Sequence, residues 1–301
     1  MYKSRGEMGV AVYGNMRQHA YVADIVRFLD MLLSRGTRVW VKDDFSDFLR
    51  GCGVEVRWYS CSRFPGEAEC AVSIGGDGTF LRTAEWVGAS GVPILGINTG
   101  HLGFLASYSF HETEELVDVL CGASGCVESR MLLHVDCPGL PADFYPYALN
   151  EVAIQKGDSS SMVNVRTWVD GGYLADYLAD GLLVATPTGS TGYNLSVGGP
   201  ILEPTASNIV LSPVAAHSLT MRPLVVEGDA VIEAAVMSRA EQFRLSLDGR
   251  SCMLDCPPMD ADTPPVIRVT RADYVVNILR RPGDHFASIL RKKLLWGESA
   301  R

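Results

Sequence analysis

The sequence predicts an α/β N-terminal domain with an open, mostly parallel sheet, followed by an all-β C-terminal domain built as a two-sheet sandwich. A C-terminal helix returns to the first domain. Three observations predict this. Short apolar runs alternate with helix-period segments over the first third of the chain, as parallel strand–helix units require. From about residue 126 strand-like runs recur with turn dipeptides between them. The last stretch, 285–298, reverts to helical spacing. The expected division is 1–108, 109–271 and 272–301.

In chain order, "MGVAVYGN" (8–15) reads as a strand. "YVADIVRFLDMLLSRG" (21–36) follows with Val22, Ile25, Val26, Leu29, Leu32 and Leu33 at helical spacing, and Gly36 as a stop. Strands are expected at 38–42 (RVWVK), 54–59 (VEVRWY), 69–74 (ECAVSI) and 92–98 (VPILGIN). Several of these strands end in glycine or asparagine, and ligands of open α/β sheets bind at the carboxyl ends of strands. Ser109 and Glu112 have the spacing of a capping box ahead of a helix over about 110–121.

Nine strand-like runs follow: VESRMLLHVDC, YALNEVAIQ, MVNVRTWV, GLLVAT, NIVLSP, PLVVEG, AVIEAAV, FRLSLDG and PVIRVTR. Asp170-Gly171, Gly228-Asp229 and Asp248-Gly249 mark turns among them. In the final helix Phe286, Ile289, Leu290 and Leu294 form an apolar stripe. Arg280, Arg281, Arg291, Lys292 and Lys293 accompany it, read as a solvated face.

The 301 residues are 47% apolar and 20% charged, with a net charge of −9. That balance excludes a general nucleic-acid or membrane surface. No apolar run reaches the roughly 18 residues of a membrane-spanning helix, and the first residues lack a signal peptide's apolar core. A cytoplasmic protein is expected, its eight cysteines reduced.

The chemistry concentrates in "AVSIGGDGTFLRTA" (71–84). A strand delivers Gly75, Gly76 and Gly78, whose bare backbone lets N–H groups approach a ligand. A helix with Thr79 as its cap follows, and its N-terminus favours an anion. Arg82 lies one turn in, within reach of a phosphate. There is no lysine of the Walker type and no G-x-G-x-x-G. The carboxylate of Asp77 beside phosphates suits a proton acceptor for an attacking hydroxyl, or a water-mediated partner of Mg²⁺.

Other groups extend the site. Phe104, after the glycines of "GINTGHLGFLA" (96–106), is placed to stack on a base. Asn150 matches the donor and acceptor edges of adenine, and Glu151 accepts from ribose hydroxyls. The loop within "LADGLLVATPTGSTGYNLSVGGP" (178–200) offers many small polar groups and one tyrosine, the makings of a hydrogen-bonding pocket with a stacking face.

GGDGT, the Asn150-Glu151 pair, "DGLLVATPTGSTGYNLSVGGP" (180–200) and "HSLTMRPLVV" (217–226) occur here in the order found in NAD kinases, and the chain resembles that family over about 70–250. GGDGT alone is less specific, being related to the motif of diacylglycerol and sphingoid-base kinases. The resemblance implies phosphorylation of the 2′-hydroxyl of the adenosine ribose of NAD, giving NADP. The donor is ATP or, as in some bacterial members, polyphosphate, with a divalent metal ion, Mg²⁺ first. It implies Asp77 as catalytic proton acceptor, and donor phosphates on Gly76 and Gly78 with Arg82 nearby. Asn150 then contacts adenine, Glu151 the nicotinamide-side ribose and Asp180 the carboxamide. Thr188, Thr191, Gly192, Tyr193, Asn194, Leu195 and Ser196 line the dinucleotide. No residue is assigned as a metal ligand. Homodimers or homotetramers assembled through the β domain are implied too. Two positions depart from the pattern. Gly192 stands where alanine is frequent, and Arg250 where many bacterial members have glutamine, so Arg250 is a candidate substrate contact of altered chemistry.

Overall fold

The computed structural model describes residues 8–100, 103–121, 125–157, 161–259 and 264–297. The chain divides into two units, residues 1–129 with 276–301, and residues 130–275. Both divisions fall within strands.

The first unit begins with β1 (Gly9–Gly14), buried along its whole length. Helix α1 (Val22–Ser34) buries Ile25, Leu29 and Leu32 of the predicted stripe together with Phe28, while Val22, Val26 and Leu33 are only partly buried. Gly36, at φ +75°, ends it with the reversal that glycine adopts at no steric cost. β2 (Arg38–Lys42) leads into α2 (Asp43–Gly51), a helix the apolar pattern did not flag. Phe45 and Leu49, one turn apart, are its buried face, and Asp43 and Asp44 suit the positive end of its dipole.

The strand expected at 54–59 is displaced. β3 is Tyr59–Cys61, paired with Trp40–Lys42. The amide of Val54 instead bonds the carbonyl of Leu49 at the end of α2, 3.1 Å away, and Val54 and Val56 pack on the core as irregular chain. β4 (Cys70–Ile74), α3 (Asp77–Val87) and β5 (Ile94–Ile97) follow. Parallel pairing gives the order β5-β4-β1-β2-β3. β4 lies opposite β2 across β1, so the glycines after β4 stand where the winding direction changes. α4 (Thr113–Leu120) is preceded by a 3-10 turn carrying the predicted Ser109–Glu112 capping box.

β6 (Cys126–Asp136) crosses into the second unit, followed by β7 (Tyr147–Ala148), β8 (Glu151–Lys156), β9 (Val163–Val169), β10 (Gly172–Ala179) and β11 (Gly181–Ala185). After the one-turn helix α5 (Tyr193–Ser196) come β12 (Asn208–Val214), β13 (Leu224–Glu227), β14 (Ile232–Ser238), β15 (Gln242–Leu247) and β16 (Arg250–Asp255). One antiparallel sheet has the order β13-β12-β11-β8-β15-β16. In the other, β9 lies between β10 and β14, and β14 pairs with residues 266–269 of β17 (Val266–Arg280). Alternate residues of the two sheets, among them Ile154, Leu182 and Leu245 against Val165, Ile232 and Val269, share one core. This is the two-sheet sandwich. The sequence hid β10 because a bulge at Leu174 breaks its alternation.

The end of β17 joins β5 in parallel through Ile278 and Ile94, and α6 (Phe286–Leu294) completes the first unit, as the expected fold class requires. The basic cluster is not one solvated face. Arg280 is only 5% exposed, 3.4 Å from Glu128. Arg281 pairs with Glu112 and Glu115 at 2.7 and 3.1 Å and lies over the Tyr108 ring.

Candidate functional site

The first unit presents the glycine loop at the carboxyl end of β4. Gly75 has φ +154°, and a Cβ there would lie 2.3 Å from the Thr79 hydroxyl oxygen, so only glycine fits. Gly76, in extended conformation, is the N-cap of α3, and Gly78 stands exposed in the first turn. The first N–H groups of a helix have no intrahelical acceptor, so this turn offers them to an anion. The expected cap at Thr79 is corrected. The cap is Gly76 and the helix starts at Asp77, three residues earlier than expected, and Thr79 is buried inside it.

Asp77 is the first residue of α3 and half-buried. Its carboxylate is not free, as a bare turn would leave it. Oδ2 accepts the N–H of Phe104 at 2.9 Å, and Oδ1 those of Leu105 and Ala106 at 3.0 and 3.4 Å. A carboxylate has about four acceptor directions, so a further bond can form on Oδ2. The fit requires Gly103, because a Cβ there would stand 2.1 Å from Oδ1.

Phe104 lies partly exposed beside the same carboxylate. Its ring already has neighbours, Phe286 at 6.2 Å between centroids and the Lys293 ammonium at 4.8 Å. Its carbonyl accepts from Arg280 at 2.7 Å. Arg82 projects from α3 into solvent.

In the second unit, Asn150 and Glu151 stand where the chain enters β8. Asp248 takes the left-handed conformation (φ +49°) that opens the Asp-Gly turn of the β15–β16 hairpin. Its carboxylate accepts the N–H groups of Leu149, Asn150 and Glu151 at 2.7, 2.8 and 3.1 Å. Thr186 accounts for two of the carbonyls: its hydroxyl donates to that of Leu149 at 2.6 Å and its amide to that of Asn150 at 2.9 Å. The side chains are less occupied. Asn150 Oδ1 and Glu151 Oε2 are buried and, among the described residues, have no hydrogen-bond partner. Burial, with the Asp248 charge adding to it and the Tyr193 amide opposing it, pushes the Glu151 carboxyl up to about 7. Burial also raises the Asp248 carboxyl against the pull of its three N–H bonds and Arg250.

The polar loop packs around this pair. Gly189 lies so close that a Cβ would meet the Asn150 carbonyl at 2.0 Å, and a Cβ at Gly192 would stand 3.0 Å from Glu151 Oε2. Thr188 is buried, accepting from Arg130 at 3.4 Å, and Thr191 donates to its carbonyl. Asn194 is turned inward rather than toward open space. Its amide donates to the carbonyls of Ser190 and Pro200 and accepts from the Ser212 hydroxyl, so it holds the loop closed. Leu195 is half-buried and Ser196 exposed.

Asp180 forms an ion pair with Lys156 at 2.8 Å. Both line a cavity of about 260 Å³ with Gln155, Tyr193, Val214 and Arg244. Gln155 donates to the Tyr193 hydroxyl at 3.2 Å. Lys156, Gln155 and Arg244 were not among the sequence candidates. Arg250 has intramolecular partners: it donates to the carbonyls of Tyr147 and Leu247 at 2.7 and 3.2 Å and lies 4.9 Å over the Tyr145 ring.

A family model described as the ATP-NAD kinase N-terminal domain matches residues 37–122, and one for the ATP-NAD kinase C-terminal domain matches residues 149–280. An NAD kinase of Bacteroides fragilis is 41% identical over 98% of this chain and 100% of its own length. One from Porphyromonas gingivalis is 41% identical over 97% of this chain and 99% of its own. Among solved structures, yeast NADH kinase complexed with NADH superposes with a TM-score of 0.82 at 24% identity, covering 98% of this chain and 89% of that one. An NAD kinase from Archaeoglobus fulgidus in complex with ATP gives 0.69 at 26% identity, covering 96% and 98%.

Proposed function

The chain belongs to the NAD kinase family, and we propose that it transfers the γ-phosphoryl group of ATP to the 2′-hydroxyl of the adenosine ribose of NAD, with Asp77 as proton acceptor. The observation that carries the recognition of NAD is the Asn150–Glu151 pair, whose backbone is fixed while two buried side-chain oxygens remain unpartnered among the described residues. Buried polar atoms without partners are costly. Adenine's amino group and a ribose diol supply the missing donors.

In the proposed reaction the ribose oxygen bonds to the γ-phosphorus as the bond to the bridging oxygen breaks. ADP leaves, and the hydroxyl proton passes to Asp77 Oδ2, the oxygen with spare acceptor capacity. The α3 N-terminus and its glycines orient the donor phosphates, where positioning and charge stabilisation do most of the work. Polyphosphate in place of ATP would use the same N–H groups.

A divalent ion, Mg²⁺ first, enters this reading with the donor. Mg²⁺ keeps several waters and is held mainly through substrate phosphates with one or two carboxylates. The exposed first turn of α3, with Asp77 as its carboxylate, fits that arrangement. Bound there, it would neutralise charge developing on the phosphates. Homo-oligomerisation through the β unit belongs to the same proposal, supported by exposed apolar side chains at Leu178, Leu219 and Val225. A cytoplasmic setting belongs to it too, since both substrates are soluble nucleotides.

The test is NADP formation by purified protein with NAD, ATP and Mg²⁺. Asp77→Asn should keep NAD binding while kcat falls at least about a hundredfold. Wild-type protein that makes no NADP would overturn the reaction, and near-normal turnover in the variant would remove Asp77 as the base.

A further inference from the structure

The turn aspartate Asp248 has no place in the chemistry proposed above, yet it makes more backbone contacts than any residue assigned to that chemistry in the second unit. Its two oxygens bond three consecutive amides, Leu149 to Glu151. Its own amide donates to the Glu151 carbonyl at 3.2 Å. Arg250, two residues on, ties the same turn to the carbonyl of Tyr147 and is itself held over the Tyr145 ring.

We propose that Asp248, braced by Arg250, is a positioning residue for NAD: it fixes the backbone of 149–151 so that the side chains of Asn150 and Glu151 are preset to receive the dinucleotide. The proposal rests on the reading of that pair as the NAD-recognising group. Asn150 lies in the two-residue interruption between β7 and β8, where no sheet partner claims its amide. Without an acceptor these three N–H groups would seek others, and the interruption would close into a continuous strand or open to water. Either outcome rotates Asn150 and Glu151, because successive strand residues face opposite sides. Arg250 thus acts through a turn and need not touch substrate, which accounts for an arginine at a position where glutamine is common in the resembled family.

The same unit contains a matched control. Asp170 opens the Asp170-Gly171 turn in the same left-handed conformation (φ +50°), and its carboxylate accepts a single amide, that of Val231 at 2.8 Å. It lies outside the site.

The experiment compares NAD dissociation constants and steady-state kinetics for wild type, Asp248→Asn, Asp170→Asn, Asn150→Ala and the double variant Asp248→Asn/Asn150→Ala. In Asp248→Asn an amide NH₂ replaces one acceptor oxygen, so at least one backbone bond is lost. Its Kd and KM for NAD should rise about tenfold or more, with kcat at saturating NAD within about threefold of wild type. Asp170→Asn should leave both unchanged. The double variant should bind little worse than Asn150→Ala, since residues acting through one another are non-additive.

Equal effects of Asp248→Asn and Asp170→Asn would reduce Asp248 to a generic turn residue and overturn the proposal, as would full additivity in the double variant. If Asn150→Ala leaves the Kd unchanged, the reading of the pair fails instead. Should Asp248→Asn not fold, Arg250→Leu removes the brace and keeps the carboxylate. It should raise the NAD Kd about threefold or more, and an unchanged Kd would sink the proposal.

Discussion

Gly103→Ala tests the catalytic reading through a single methyl group. The backbone of Gly103 lies outside the left-handed region, so alanine adds no conformational strain. The cost is steric: the new Cβ would stand 2.1 Å from Asp77 Oδ1, 2.8 Å from Cγ and 3.1 Å from Oδ2. Real Cβ contacts are essentially never shorter than 3.0 Å, so the carboxylate or the loop must move by at least 3.0 − 2.1 = 0.9 Å. Both movements break the bonds from the amides of Phe104, Leu105 and Ala106. A misplacement of about 1 Å at a reacting group costs on the order of a hundredfold in rate. A coupled assay of NADP formation should therefore show kcat reduced about a hundredfold, with NAD Kd by calorimetry unchanged. Gly100→Ala is the control, because nothing lies within 4 Å of a Cβ there. A Gly103→Ala enzyme with kcat within about threefold of wild type would refute the reasoning that a fixed Asp77 carboxylate is required.

Glu151 yields a pH prediction. Its carboxyl, pushed up to about 7, accepts from a diol best when ionised. At one unit below that value only about a tenth is ionised, so NAD should bind on the order of tenfold more weakly at pH 6 than at pH 8, and Glu151→Gln should bind weakly at both. The stability effect has the opposite sense. The folded value lies above the ordinary 4.5, so the group costs stability increasingly as pH rises from about 4.5 to about 7, by about 3 kcal/mol in all. Relative to Glu151→Gln, the wild type should therefore melt higher at pH 5 than at pH 7.5, and parallel melting curves would contradict this. Asn194→Ala leaves the Ser212 hydroxyl and two carbonyls without their partner. At about 1–3 kcal/mol for each buried group left unmade, calorimetry should show a loss of at least about 3 kcal/mol; a melting temperature within about 1 °C of wild type would contradict that count.

What was legible in the sequence followed from local rules. Ile25, Leu29 and Leu32 repeat at helical spacing and are buried as a stripe; Ser109 and Glu112 form their capping box; Gly36 stops its helix. Gly75, Gly76 and Gly78 after an apolar strand mark the tight turn from β4 into α3 for the same reason, since the glycine requirement at Gly75 is written in adjacent residues. The misses are non-local. Val54 and Val56 alternate like a strand, but the end of α2 takes the amide that pairing would need. Asp77 reads as a bare carboxylate, but its partners lie 27 to 29 residues away. Asp248 reads as half of an Asp-Gly turn, which it is, while its three partners lie up to 99 residues back along the chain. Asn194 reads as a ligand contact, and only the carbonyl of Pro200 and the hydroxyl of Ser212 show that its amide is spent inside the fold.

Asp77 and Asp248 use one device for different ends. Each carboxylate accepts three consecutive backbone amides, two on Oδ1 and one on Oδ2 for Asp77, and two on Oδ1 and one on Oδ2 for Asp248. The surroundings separate them. Asp77 opens a helix next to exposed glycines, so its remaining acceptor direction is available to substrate. Asp248 sits in a turn with Arg250, and Glu151, whose amide it accepts, is also the carboxylate it perturbs. In the proposed reaction, neutralising the first removes the proton acceptor. Neutralising the second moves the backbone that presents Asn150 and Glu151 and relieves the charge that helps hold Glu151 near 7. Asp248→Asn should therefore shift the pH midpoint of NAD binding downward as well as weaken it, whereas Asp77→Asn should leave that midpoint in place. A midpoint unmoved in Asp248→Asn would mean that the carboxylate pair does not communicate.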